Sequence, residues 1–170
     1  MGAKGFIIAE EGHYVPLIIP HDQNGAAHSS VVIRMEDYAH ADIFVFIGAS
    51  TRAAGIITLE SCDDMTPTTH TELAFDYYVS TAVFGAASDD VWMDKTTLTA
   101  TTGITPGAVG PAAATTGVTY HIPLDASQLT SGHIGFRLSI ADPAAASIGC
   151  AFAILSGKRY GKASSPTVTV

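Results

Sequence analysis

Apolar and polar residues alternate with a period of two along much of this chain. In "VTYHIPL", Val118, Tyr120, Ile122 and Leu124 fall on one side, and Thr119, His121 and Pro123 on the other. In "HIGFRLSI", Ile134, Phe136, Leu138 and Ile140 alternate with His133, Gly135, Arg137 and Ser139. In "LAFDYYV", Leu73, Phe75, Tyr77 and Val79 share a face. A surface helix repeats its apolar residues every three to four positions, so this pattern predicts half-buried antiparallel strands. "ADIFVFIG" is apolar on both faces and reads as a central strand. Further strands are expected over Val15–Ile19, Ser30–Met35, Ile56–Ser61, Val91–Leu98 and Ile148–Leu155.

Breaks fall between these segments. "HDQNGAAH" holds the turn dipeptide Asn24-Gly25, and "LTSGH" and "ADPAAAS" are polar or proline-bearing. One helical turn is expected after Asp125, capped by that residue and ended by Gly132. Eight or nine short strands at this spacing predict a single all-β domain over residues 1–170, an antiparallel β-sandwich with the jelly roll as the expected layout. Residues 99–117, "TATTGITPGAVGPAAATTG", are almost wholly Thr, Ala, Gly and Pro and read as a long loop or arm. Residues 158–170 read as a C-terminal tail.

With 170 residues the chain is long enough to bury a core without staples. Only 14% of it is charged, while 47% is hydrophobic, which favours an assembled protein over an isolated one. The net charge of −8 opposes nucleic acid as a direct partner, because phosphate binding needs a basic footprint. The opening "MGAKGFIIAEEGH" has too short an apolar run for a secretory signal, and no segment reads as a membrane span. The expectation is a protein made in a cytoplasm, with no membrane partner.

The densest polar chemistry lies in Thr58–Tyr78, "TLESCDDMTPTTHTELAFDYY". Seven histidines make a metal site worth testing, yet no H-x-H, H-E-x-x-H or C-x-x-C run occurs. No G-x-S-x-G or P-loop occurs either. Cys62 precedes Asp63 and Asp64, whose charges disfavour a thiolate, so it reads as structural. Cys150 reads as a small core residue. Asp63, Asp64 and Thr66 are expected to order a turn fixed by Pro67. No catalytic residue, cofactor or metal is expected. In "IGCAFAIL", Ile148, Cys150, Phe152 and Ile154 are placed on the core face. Gly149, Ala151 and Ala153 make a small-residue face that suits close approach by a neighbouring subunit or by a loop of the same chain.

"LESCDDMTPTTHTELAFDYY", with "YAHADIFVFIG", "AILSGKRY" and a tail carrying "SPTV", resembles head decoration (cement) or auxiliary capsid proteins of tailed double-stranded DNA bacteriophages. The likeness runs over most of the chain but omits residues 99–117. It implies a non-enzymatic β-sandwich, often trimeric, that binds the major capsid protein on the outer surface of the virion and stabilises the shell. It also implies synthesis in a bacterial host. Lys158, Arg159 and Lys162 are then candidates for docking on an acidic capsid patch. Two other functions fit the residues. One is a sugar-binding β-sandwich of a head fibre or receptor-binding assembly, with Tyr14, Tyr38, Tyr77, Tyr78 and Trp92 as stacking faces. The other is a cupin-like metalloenzyme.

Overall fold

The computed structural model describes residues 8, 12–50, 55–67, 69–99, 102–111, 117–144 and 146–158. Among these the chain is almost entirely β, with eleven strands and one 3-10 turn. The strands are β1 (His13–Asp22), β2 (His28–Ser29), β3 (Ile33–Arg34), β4 (Tyr38–Ser50), β5 (Ile57–Cys62) and β6 (His70–Glu72). They continue as β7 (Phe75–Val79), β8 (Thr96–Leu98), β9 (Val118–Asp125), β10 (Gly135–Ile140) and β11 (Ser147–Lys158). Among the described residues no helix is long and apolar enough to cross a membrane.

Two antiparallel sheets share one core. The larger runs β1-β11-β4-β9-β7-β8; the smaller runs β2-β10-β5-β6, with β3 also on β10. Strand pairing is nested: β1 pairs with β11, β2 with β10, β4 with β9 and β5 with β6. The alternation explains which side of each strand turns inward. Ile43, Val45 and Ile47 of β4 lie beside Ile122, Tyr120 and Val118 of β9, all fully buried. From the smaller sheet Ile57, Leu59, Phe136, Leu138 and Ile140 complete the same cluster. The double-sided β4 is central, as its composition predicts.

Several expectations need correction. Only Thr96–Leu98 of the Val91–Leu98 segment is a strand; Trp92 makes an isolated bridge to Ser80. The stretch Ser30–Met35 contributes only Ile33 and Arg34, with His28–Ser29 forming a separate short strand. The described part of the 99–117 loop is not a free arm. Ile104 is buried and exchanges both backbone hydrogen bonds with Ile57, at 2.8 and 2.9 Å. Ile104 closes that part of the loop onto the core, with Pro106 buried beside it in sequence and Val109 packed partly buried against the core.

The turn after Asp125 is a 3-10 turn, Ala126–Gln128. The Gln128 side chain accepts a hydrogen bond from the Asp125 N–H at 2.8 Å, and Gly132 follows with φ +87°. Lys158 is the last residue of β11, so the strand reaches one residue into the expected tail. Arg159 and Lys162 lie outside the described residues.

Candidate functional site

The outer face of the larger sheet is aromatic. Facing positions on neighbouring strands place Pro16, Phe152, Phe44, His121 and Tyr78 in one row across β1, β11, β4, β9 and β7. Phe44 is stacked on Phe152 at 5.2 Å and on His121 at 4.8 Å between centroids. Tyr78 stacks on the other side of His121 at 5.7 Å. Tyr14 and Phe46 pack on Phe152, at 5.4 and 5.7 Å. Trp92, brought in by its bridge to Ser80, lies 5.6 Å from His121. Aromatic pairs of this kind contribute about 0.5–1.5 kcal/mol each beyond burial. They keep the rings fixed while leaving apolar surface outside: Ile19 of β1 is 72% exposed, and Tyr14 and Ile148 are each 57% exposed.

A polar string runs beside this band. Asp42 Oδ1 lies 2.7 Å from His121 Nε2 and 3.3 Å from His40 Nε2, and His40 Nδ1 lies 2.8 Å from Asp125 Oδ1. Burial pulls the His40 pKa down, but its contacts with Asp125 and Asp42 outweigh that and raise it. The bond to His121 lowers the Asp42 pKa most; burial opposes this, and His40 reinforces it. Both nearest ring nitrogens address one oxygen of Asp42, so this string joins β4 to β9. Among the described residues no group of three or more His, Cys, Asp or Glu side chains is arranged to hold a metal ion.

The smaller sheet has a polar outer face. Arg137 and Glu60 are paired across β10 and β5, with Arg137 Nε and Nη2 at 2.7 and 2.5 Å from Glu60 Oε2. Ser29 donates to Ser139 at 3.0 Å on the same face.

The Thr58–Tyr78 cluster is strand, turn, strand. Asp64 Oδ1 accepts the Thr66 N–H at 2.7 Å, and Asp63 Oδ1 accepts the Thr69 N–H at 3.4 Å. Thr66 contributes its backbone N–H to this turn, and Pro67 follows half-buried. The register sets Cys62 opposite His70. Cys62 is fully buried, however, and burial pushes its thiol up to about 11; Arg137 opposes this, while Glu60, Asp63 and Asp64 add to it. A thiol held protonated at neutral pH is not a nucleophile.

The two faces of β11 are reversed relative to the sequence expectation. Ala151 and Ala153 are 3% and 0% exposed, and with Gly149 they face the core of their own chain. A Cβ on Gly149 would lie 2.3 Å from the Gln23 amide, so the small residue there makes room for an intrachain side chain. Cys150, Phe152 and Ile154 instead face outward and are half-buried. The stacking candidates also separate. Tyr38 and Tyr77 are buried, Tyr14 lies on the edge strand β1, and only Tyr78 and Trp92 meet around His121. Sequence reasoning missed Phe44, Phe46 and Phe152 as surface residues. The available signal was that β4 carries large apolar residues on both faces. The sequence matches no protein-family model and no curated protein.

Proposed function

We propose that this chain is a non-enzymatic structural protein of a phage virion, a decoration or cement subunit on the outside of the capsid. We read its two sheets as a jelly roll. Nested pairing of first strand with last, inward to a central hairpin, is what rolling up one long antiparallel ribbon produces. Such folds serve both capsid and lectin proteins, so the fold alone does not choose a function.

The observation that carries this reading is the aromatic outer face of the larger sheet. A two-layer domain needs only one apolar face per sheet. A second one, with exposed Tyr14, Ile19 and Ile148 at the β1–β11 side, favours a protein neighbour there. The major capsid protein and further copies of this subunit, in a trimer, are the proposed neighbours. The polar face of the smaller sheet then turns to solvent. A net charge of −8 suits the outside of a shell better than a surface facing packaged DNA. Lys158, Arg159 and Lys162 add a basic segment for an acidic capsid patch.

Co-sedimentation with empty capsids tests the proposal. Wild-type protein should pellet with them, and Tyr14→Ser combined with Ile148→Ser should stay in the supernatant while remaining folded. Neutralising the three basic residues should weaken capsid binding and flatten its salt dependence. Equal pelleting by wild type and the Tyr14/Ile148 double variant would remove the aromatic face from the account.

A further inference from the structure

A groove opens at the β7–β9 flank of the aromatic face. Residues 81–93 loop back over the sheet and are tied down by backbone bonds from the Met93 N–H to the Val79 carbonyl, 2.9 Å, and from the Thr81 N–H to the Val91 carbonyl, 2.8 Å. Tyr78, Trp92, Met93, His121 and Pro123 line an open groove of about 500 Å³. Its rings are held before any ligand arrives: His121 is stacked between Phe44 and Tyr78, and Asp42 fixes its Nε2.

We propose that this groove binds a neutral pyranose ring of a glycan. Three observations choose that chemistry. The negative face of an aromatic ring attracts the weakly positive C–H face of a sugar, and Trp92 offers such a face, 40% exposed. Hydrogen-bonding groups stand at the margin. Asp42 lies opposite Pro123 in the β4–β9 register, and a carboxylate has room for more acceptor contacts than the two histidine nitrogens use. Among the described residues no Lys or Arg lines the groove, and the nearby Lys95 is already paired with Asp76 at 2.9 Å, so sulfated, phosphorylated or uronic sugars and nucleic acids find little counter-charge there.

A peptide fits less well. A peptide that binds by adding a strand finds no free edge at β7, which is paired on one side with β8 and on the other with β9. The groove is open along the face, which suits a ring presented within an oligosaccharide rather than an engulfed small molecule. The groove lies on the same face as the capsid proposal but at its other side, across β4 from β1 and β11, and either proposal can fail without the other.

Trp92 is the only tryptophan of the chain, so its fluorescence reports directly on the groove. Titration with gluco-, manno-, galacto- and N-acetylglucosamine hexasaccharides should give a saturable shift with at least one, at a dissociation constant near about 1 mM or tighter. Tyr78→Ala should weaken that binding at least tenfold. Trp92→Ala, followed by calorimetry with the same sugar, should abolish it while leaving capsid co-sedimentation intact. No saturable response from any hexasaccharide up to about 10 mM, ten times the expected dissociation constant, overturns the proposal. So does equal or tighter binding of heparin, an oligonucleotide or an extended peptide, or retained sugar binding by folded Trp92→Ala protein.

Discussion

At the centre of the smaller sheet's outer face stand Arg137 and Glu60; at the corresponding centre of the larger sheet stand Phe44 and Phe152. The inner faces behind them are alike, built from fully buried Ile, Leu, Val and aromatic side chains. Inward alternation therefore makes the fold, and the outward set is free to differ. In one sheet that set is the polar one expected of a solvated face. In the other it is a second apolar surface, which folding of the single chain does not require. The difference separates the work of folding, shared by both sheets, from the proposed work of contact, assigned to one.

The largest effects should come from the shared inner faces. Ile43→Ala in the larger sheet and Leu138→Ala in the smaller should each cost about 2–5 kcal/mol in urea unfolding, since both are fully buried. A clear asymmetry between them would break the idea of one common core. Next is the polar centre. The Glu60 and Arg137 side chains are only 12% and 23% exposed, so Glu60→Ala should cost about 1–3 kcal/mol by leaving the guanidinium without its partner. The double replacement Glu60→Ala with Arg137→Ala should cost less than the sum of the singles. Simple additivity in that cycle would show two independent surface charges.

The outer aromatic row should matter less for stability. Tyr14→Thr keeps a residue suited to strands, removes one ring contact from a side chain that is 57% exposed, and should cost no more than about 1.5 kcal/mol, while reducing self-association measured by sedimentation velocity. A loss as large as that of Ile43→Ala would mean that this face is core in all but position. The smallest effect is electrostatic. His40, with its raised pKa, adds stability that is complete below about pH 6.5 and is lost as pH rises through its folded value. Asp42, with its lowered pKa, adds stability above about pH 3.9 that is lost as pH falls through its folded value. The melting temperature of wild type relative to His40→Gln should thus be highest between about pH 4 and 6.5. A pH-independent difference would exclude a charged clasp between β4 and β9.

Much of the fold was legible because the relevant forces are local. Strands β7, β9 and β10 each announce their inner face by alternation, and the Asp63–Asp64 turn forms from hydrogen bonds within six residues. The β11 faces were not legible. Alternation separates Gly149, Ala151 and Ala153 from Cys150, Phe152 and Ile154, but it does not say which set turns inward. The neighbours decide that. Val15 and Ile18 of β1 with Ile43 and Val45 of β4 already fill the core beside β11, and Gln23 occupies the space above Gly149. Ile104 was hidden for a similar reason, since its burial depends on Ile57, far away in sequence.

By itself the sequence determined an all-β chain with antiparallel strands, a double-sided central β4, a locally ordered acidic turn and an acidic surface poor in charge. These follow from residue spacing, hydrogen bonds between near neighbours and composition. Only the tertiary structure decided that Phe44, Trp92, His121 and Phe152 form one surface. They come from β4, the Trp92 segment, β9 and β11, and nested pairing of distant strands is what places them side by side. Their meeting is a property of register, which no single strand encodes.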